Sequence, residues 1–103
     1  MIARHWSGLC RRDKANDYIQ HLLTETFKEL EHINGFHKAS ILTKEEEEGT
    51  QFLIITLWNS HDSIKAFAGS DVETAVVPEK VQQMMIHYDS RAQHYEIRKE
   101  FVP

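Results

Sequence analysis

The chain has 103 residues, a length that fits one domain spanning 1–103. Hydrophobic residues make up 41% of it and charged ones 27%, which is globular composition and excludes a disordered chain. The net charge of -4, part of it in the run Glu45 to Glu48, leaves no basic face to collect phosphates, so nucleic acid is not an expected partner.

The unbroken apolar runs, such as Leu53 to Ile55, fall far short of the ~20 residues a membrane span needs. Arg4 and His5 arrive before an apolar signal core could form, so a cytoplasmic protein is expected. Cys10 has no second cysteine to pair with, which rules out an internal disulfide framework and agrees with a reducing compartment.

Met1 to Gly8 alternates bulky with small or polar residues and reads as a strand, broken by Arg11 to Asp13, with Asp13 placed to cap a helix. Tyr18, Ile19, Leu22, Leu23, Phe27, Leu30 and Ile33 then recur at spacings that only a helix puts on one face. Asn34 and Gly35 end it. Phe36 to Lys44 and Gln51 to Trp58 read as two strands of a hairpin, joined through the solvated glutamates Glu45 to Glu48. Asn59 and Ser60 offer capping oxygens for a short helix with Ile64, Phe67 and Ala68 inward, stopped by Gly69. Pro78 opens a further helical stretch carrying Val81, Met84, Met85 and Tyr88. Ser90 to Val102 closes the chain as a final strand.

This order predicts an α+β chain: the ferredoxin-like split βαβ arrangement with a four-stranded antiparallel sheet and helices on one side. The other face of such a sheet should be polar at every second position. In the third strand Phe52, Ile54 and Trp58 lie on one face while Leu53, Ile55 and Leu57 lie on the other, so both faces require cover. The helices cover one. A second copy of the chain covers the other most simply, so a homodimer through the sheet faces, a dimeric α+β barrel, is expected.

Residues Leu57 to Asp71 read Leu-Trp-Asn-Ser-His-Asp-Ser-Ile-Lys-Ala-Phe-Ala-Gly-Ser-Asp: a strand ending in Trp, a Ser-x-Asp-Ser cap, then an aromatic on a short helix. This resembles the antibiotic biosynthesis monooxygenase superfamily, and His94-Tyr95-Glu96-Ile97 looks like the last strand of one uncharacterised branch. The resemblance implies a small hydrophobic or aromatic ligand in a cavity between sheet and helices, oxidised, if the chain is an enzyme, without a cofactor. The haem-degrading branch uses an Asn, a Trp and an iron-ligating His at positions that fall near Trp6, at Phe67 and at Val77. Val77 has no donor atom for iron, so the haem reading loses its ligand.

Arg4 and Trp6 share a face of the first strand by alternation and could hold a planar anionic or phenolic ligand, the guanidinium on its oxygen and the indole on its ring. The plainer readings are a core Trp6 and an Arg4 paired with a glutamate at the sheet edge. His94, inside a half-buried strand, is the candidate catalytic base; the mechanism that the resemblance implies has such a base take a phenolic proton so that the resulting carbanion reacts with dioxygen. A structural, hydrogen-bonded His94 is its alternative. Trp58 and Phe67 are candidate cavity walls or core. No metal site is expected, since His21 and Glu25 pair on a helix without a third ligand. The same cavity without turnover would make a non-catalytic binding or stress-response module.

Overall fold

The computed structural model describes all residues, Met1–Pro103. Strand β1 (Ile2–Cys10) leads through a 3-10 turn at Arg12–Lys14 into α1 (Ala15–His21), a π-helical turn (Leu22–Thr26) and α2 (Phe27–Leu30). Strands β2 (Phe36–Glu45) and β3 (Thr50–Trp58) form the expected hairpin, followed by α3 (His61–Ala68), α4 (Glu79–Gln82), β4 (Met85–Tyr88) and β5 (Gln93–Glu96). The sheet runs β2-β3-β1-β4 with β5 also on β1, and every pairing is antiparallel. No helix is long and apolar enough to cross a membrane.

Alternation along β3 divides the sheet. Phe52, Ile54, Thr56 and Trp58 are buried against the helices, whereas Leu53, Ile55 and Leu57 are only partly covered on the opposite face. β1 repeats the division: Arg4 stands opposite Thr56 and Trp6 opposite Ile54, so both point toward the helical layer. Two apolar clusters fill that layer. One joins Cys10, Tyr18, Leu22, Phe52, Ile54, Val81 and Met85; the other joins Ile2, Leu30, Trp58 and Ile64.

Several boundaries differ from the sequence reading. Asp13 lies within the 3-10 turn and caps nothing, because the chain enters that turn directly from β1. The π turn widens the helix, carrying Leu23 out to 46% exposure and drawing Thr26 inward. Met85 and Tyr88 belong to a strand, not a helix: the edge of β1 has unpaired backbone groups, and β4 pairs with it from Gly8 to Cys10. β5 takes the same edge from Ile2 to His5, so β4 and β5 act as one strand interrupted at Asp89–Ala92. The final strand is therefore shorter than expected, and Phe101 and Val102 lie exposed beyond it.

α3 forms where its caps dictate. Ser60 and Ser63 exchange hydrogen bonds in a capping box, and Gly69 ends the helix at φ +88°. Gly35, at φ +98°, packs so tightly that a Cβ there would sit 2.6 Å from Ser63 Cβ, whereas nothing approaches Gly69. The two positions therefore separate strain from crowding. Gly69→Ala should cost about 1–2 kcal/mol through backbone strain alone. Gly35→Ala should cost about 1–3 kcal/mol more, from overpacking against α3. Urea unfolding of both variants checks this, and equal losses would contradict it.

Candidate functional site

Between the sheet and the helical segment 15–30 lies a cleft of about 60 Å³. Its walls are mostly apolar: Tyr18, Leu22, Phe27 and Leu30 from the helices, Ile54 from β3, and Phe67 from α3. Arg4, Trp6, Thr56 and Thr26 add polar atoms, and Val76, 43% exposed, stands at its edge.

Arg4 is the unusual member. It is only 5% exposed, yet no carboxylate pairs with it. Instead Nη1 donates to the Val72 carbonyl and to His94 Nε2 at 2.9 Å, and Nη2 donates to the Thr74 carbonyl at 2.8 Å. Its guanidinium carbon stands 5.7 Å from the centre of the Phe67 ring, a cation–π distance. Burial lowers the Arg4 pKa to about 10, which leaves the side chain positive at neutral pH. A guanidinium has five N–H groups, so Nε and one Nη2 hydrogen remain without a protein acceptor.

His94 faces Arg4 across the β1–β5 register. A guanidinium can only donate, so Nε2 must be the bare nitrogen that accepts, and the ring proton sits on Nδ1. That Nδ1 is buried with no partner. Beside it His61 approaches edge-on, with ring centres 5.4 Å apart. The His94 pKa is lowered by burial first, then by the positive charge of Arg4 and by His61, with Glu73 opposing. The imidazole is thus neutral at neutral pH, its lone pair engaged by Arg4, and it supports the cleft from behind without lining it.

The remaining candidates divide in the same way. Trp6 lines the cleft, and its Nε1–H donates to the Asp89 carbonyl at 2.8 Å, which fixes the indole at the gap between β4 and β5. Phe67 lines it too. Trp58 does not: it is fully buried, donates to Thr56 Oγ1 at 2.8 Å and stacks behind Phe67 with ring centres 6.3 Å apart. Tyr95 lies on the other sheet face against His5.

Tyr18 joins the site although sequence reasoning placed it only in the helical core. It is 3% exposed, meets Trp6 edge-on at 6.3 Å, and burial holds its phenol far above the usual range, so it stays protonated. A hydroxyl within an otherwise apolar stripe was the available signal. His21, paired with Glu25 on the helix as the spacing implied, is also buried, with Nδ1 3.2 Å from Glu25 Oε2 in a geometry that is not a hydrogen bond. Lys80 pairs with the same carboxylate at 3.0 Å.

Because the folded His94 pKa lies below its ordinary 6.5, the unfolded chain binds this proton at a higher pH than the folded one. Stability from this group is complete above about pH 6.5 and is lost as pH falls toward the lowered value. His94→Gln keeps an acceptor for Arg4 and removes the titration. Its urea midpoint should therefore vary less as pH falls below 6.5 than that of the wild type. An unaltered slope would show that another group governs this range.

No protein-family profile matches the chain, and none of the curated proteins matches it by sequence. Solved structures do match. An antibiotic biosynthesis monooxygenase-type protein of Bacillus cereus superposes over 99% of this chain and 97% of its own, with a TM-score of 0.69 at 16% identity. A variant of SnoaB, a cofactor-independent oxygenase from Streptomyces nogalater, covers 96% and 94% with a TM-score of 0.66 at 10% identity. A Streptomyces coelicolor monooxygenase in complex with nanaomycin D covers 99% and 91% with a TM-score of 0.69 at 14% identity. The antiparallel topology and these superpositions thus agree on a single architecture: the chain has the α+β fold that these three monooxygenase structures share.

Proposed function

We propose that this chain is a cytoplasmic, monooxygenase-like protein that takes a phenolic or otherwise acidic aromatic compound into the cleft between sheet and helices and oxidises it with dioxygen, without a cofactor. The observation that carries the reading is Arg4: a buried cation with unused donors beside an aromatic wall. An oxyanion satisfies those donors, and the ring attached to it lies against Trp6 and Phe67.

The chemistry then falls to the substrate. With Arg4 stabilising its phenolate or enolate oxygen, the compound loses a C–H proton to solvent more readily. The carbanion gives its electrons to dioxygen, a C–O bond forms, and the resulting peroxide loses water to leave a carbonyl. One CH₂ and one dioxygen thus become one C=O and one water. His94 serves here as a positioning residue that holds Arg4, because its accepting nitrogen is already occupied. Trp58 braces Phe67 from behind.

Oxygen uptake with anthrone-like phenols tests this. Arg4→Met should lower uptake by roughly 100-fold, the scale of removing one oxyanion donor, while His94→Gln should retain most of it. Full uptake in Arg4→Met would remove Arg4 from the mechanism. Quenching of Trp6 fluorescence by such phenols with no uptake would favour the second reading, a binding or stress-response module.

The proposal includes a homodimer. Leu53, Ile55 and Leu57 are partly covered, and Leu42 and Tyr95 are 43% and 52% exposed, all apolar area on the sheet face that carries no helices. A second copy placed there by a two-fold axis buries it. Sedimentation at micromolar concentration should report a dimer, and Ile55→Lys should shift it toward monomer; a wild-type monomer would remove this element.

A further inference from the structure

The cleft is too small for the ligand its chemistry favours. Sites for drug-sized molecules occupy roughly 300–1,000 Å³, against about 60 Å³ here. Something must move to admit a fused aromatic ring, and the helical segment and the sheet are each held by their own backbone hydrogen bonds. The segment 69–78, between α3 and α4, has neither helix nor strand, and it carries Val76 to the edge of the cleft.

Its fastenings are of two kinds. On the outside Arg91 pairs with Asp71 at 3.1 Å and with Glu73 at 2.9 Å, all with side chains more than half exposed. Water screens exposed pairs of this kind, so they hold the segment only weakly. The isolated bridge between Thr74 and Arg91 brings two backbone bonds, Ala75 N–H to the Ser90 carbonyl at 3.1 Å and Ala92 N–H to the Glu73 carbonyl at 2.7 Å. On the inside Arg4 donates to the Val72 and Thr74 carbonyls from beneath, while the Val72 and Val77 side chains rest against the edges of the two apolar clusters. At one end of the segment Gly69 is in a glycine-only conformation with open space around it, and at the other Pro78 begins α4. Both ends can serve as pivots.

We propose that segment 69–78 is a strap over the cleft, latched from inside by Arg4, and that the ligand's own oxyanion, taken first by the free Nε and Nη2 hydrogens, releases it by drawing the guanidinium away from the two strap carbonyls. This rests on the cleft being the binding site and specifies what enters: a planar aromatic carrying a phenolate or carboxylate. A charged oxygen binds a guanidinium more strongly than an amide carbonyl does, so it can compete for the latch. A neutral ring system of the same shape has nothing to offer Arg4 and meets a closed strap.

Amide hydrogen exchange tests the latch without any ligand. In the wild type, Ala75 and Ala92 should exchange through an opening that leaves the β1–β3 ladder amides protected. In Arg4→Met they should exchange about tenfold faster or more, as expected for loss of hydrogen bonds from a charged donor, again with the ladder protected. Strap amides that exchange only together with the ladder in the wild type would overturn the latch, and this arm stands even if Arg4→Met does not fold. So would unchanged exchange at Ala75 and Ala92 in a folded Arg4→Met. The choice of ligand is read separately with 2-naphthoate and 2-naphthamide, which share a shape and differ in charge. The naphthoate should bind about tenfold tighter or more to the wild type, and Arg4→Met should bind both alike. Equal affinity in the wild type would overturn release by the oxyanion. Binding of neither probe, with the strap still opening on its own, would instead count against the cleft as an aromatic site.

Discussion

Putting a guanidinium under a sheet with no carboxylate beside it leaves a charge that the surrounding protein must satisfy with dipoles. The desolvation cost is several kcal/mol, and hydrogen bonds to a charged donor return about 1.5–3 kcal/mol each. Arg4 collects its bonds from three residues in two elements: His94 of β5, and Val72 and Thr74 of the segment after α3. The charge thus joins the segment after α3 to the edge where β5 pairs with β1. Phe67 stacks on the guanidinium, and Trp58 stacks on Phe67 in turn. The buried tryptophan thus reaches the site through two aromatic contacts.

The same environment explains why a cation without a base is a coherent site. In an apolar cleft the attraction between a guanidinium and an oxyanion is stronger than in water. A bound phenol therefore ionises more readily without any side chain to take its proton. Tyr18 and His94 do not supply a competing anion: burial keeps the first protonated, and the second is neutral with its lone pair committed to Arg4. In the proposed reading the negative charge that meets Arg4 is supplied by the ligand.

Much of the fold was legible because its signals are local. The Ser60 cap, the glycines at 35 and 69 and the alternation of β3 each fix a backbone conformation or a face within a few residues. What escaped depends on distant partners. Met85 to Tyr88 has a short apolar pattern compatible with helix or strand, and only the free edge of β1 decides between them. The π turn at Leu22–Thr26 shifts the helical phase by a fraction of a turn, which no residue type announces. At the site, alternation puts Arg4 on the same strand face as Trp6, but whether Arg4 met a glutamate or two carbonyls depended on the path of residues 69–78. His94 was legible as a buried histidine and illegible in role, because the direction of its hydrogen bond is dictated by a residue ninety positions earlier in the chain.

Gly8 shows how the strand itself sets the dimensions of the site. A Cβ at this position would stand 2.7 Å from Trp6 Cη2 and 3.1 Å from Met85 Sδ, so the absence of a side chain lets the indole lie back along β1. From there its Nε1–H reaches Asp89 and holds the ring against the cleft. The pleat then separates Arg4 from Trp6 by about 7 Å, twice the rise per residue. An oxygen held at Arg4 therefore has a ring's breadth of apolar wall before the indole begins. Such a spacing discriminates by length as well as charge: a small anion reaches the guanidinium but leaves Trp6 uncovered, and a multi-ring acid spans both.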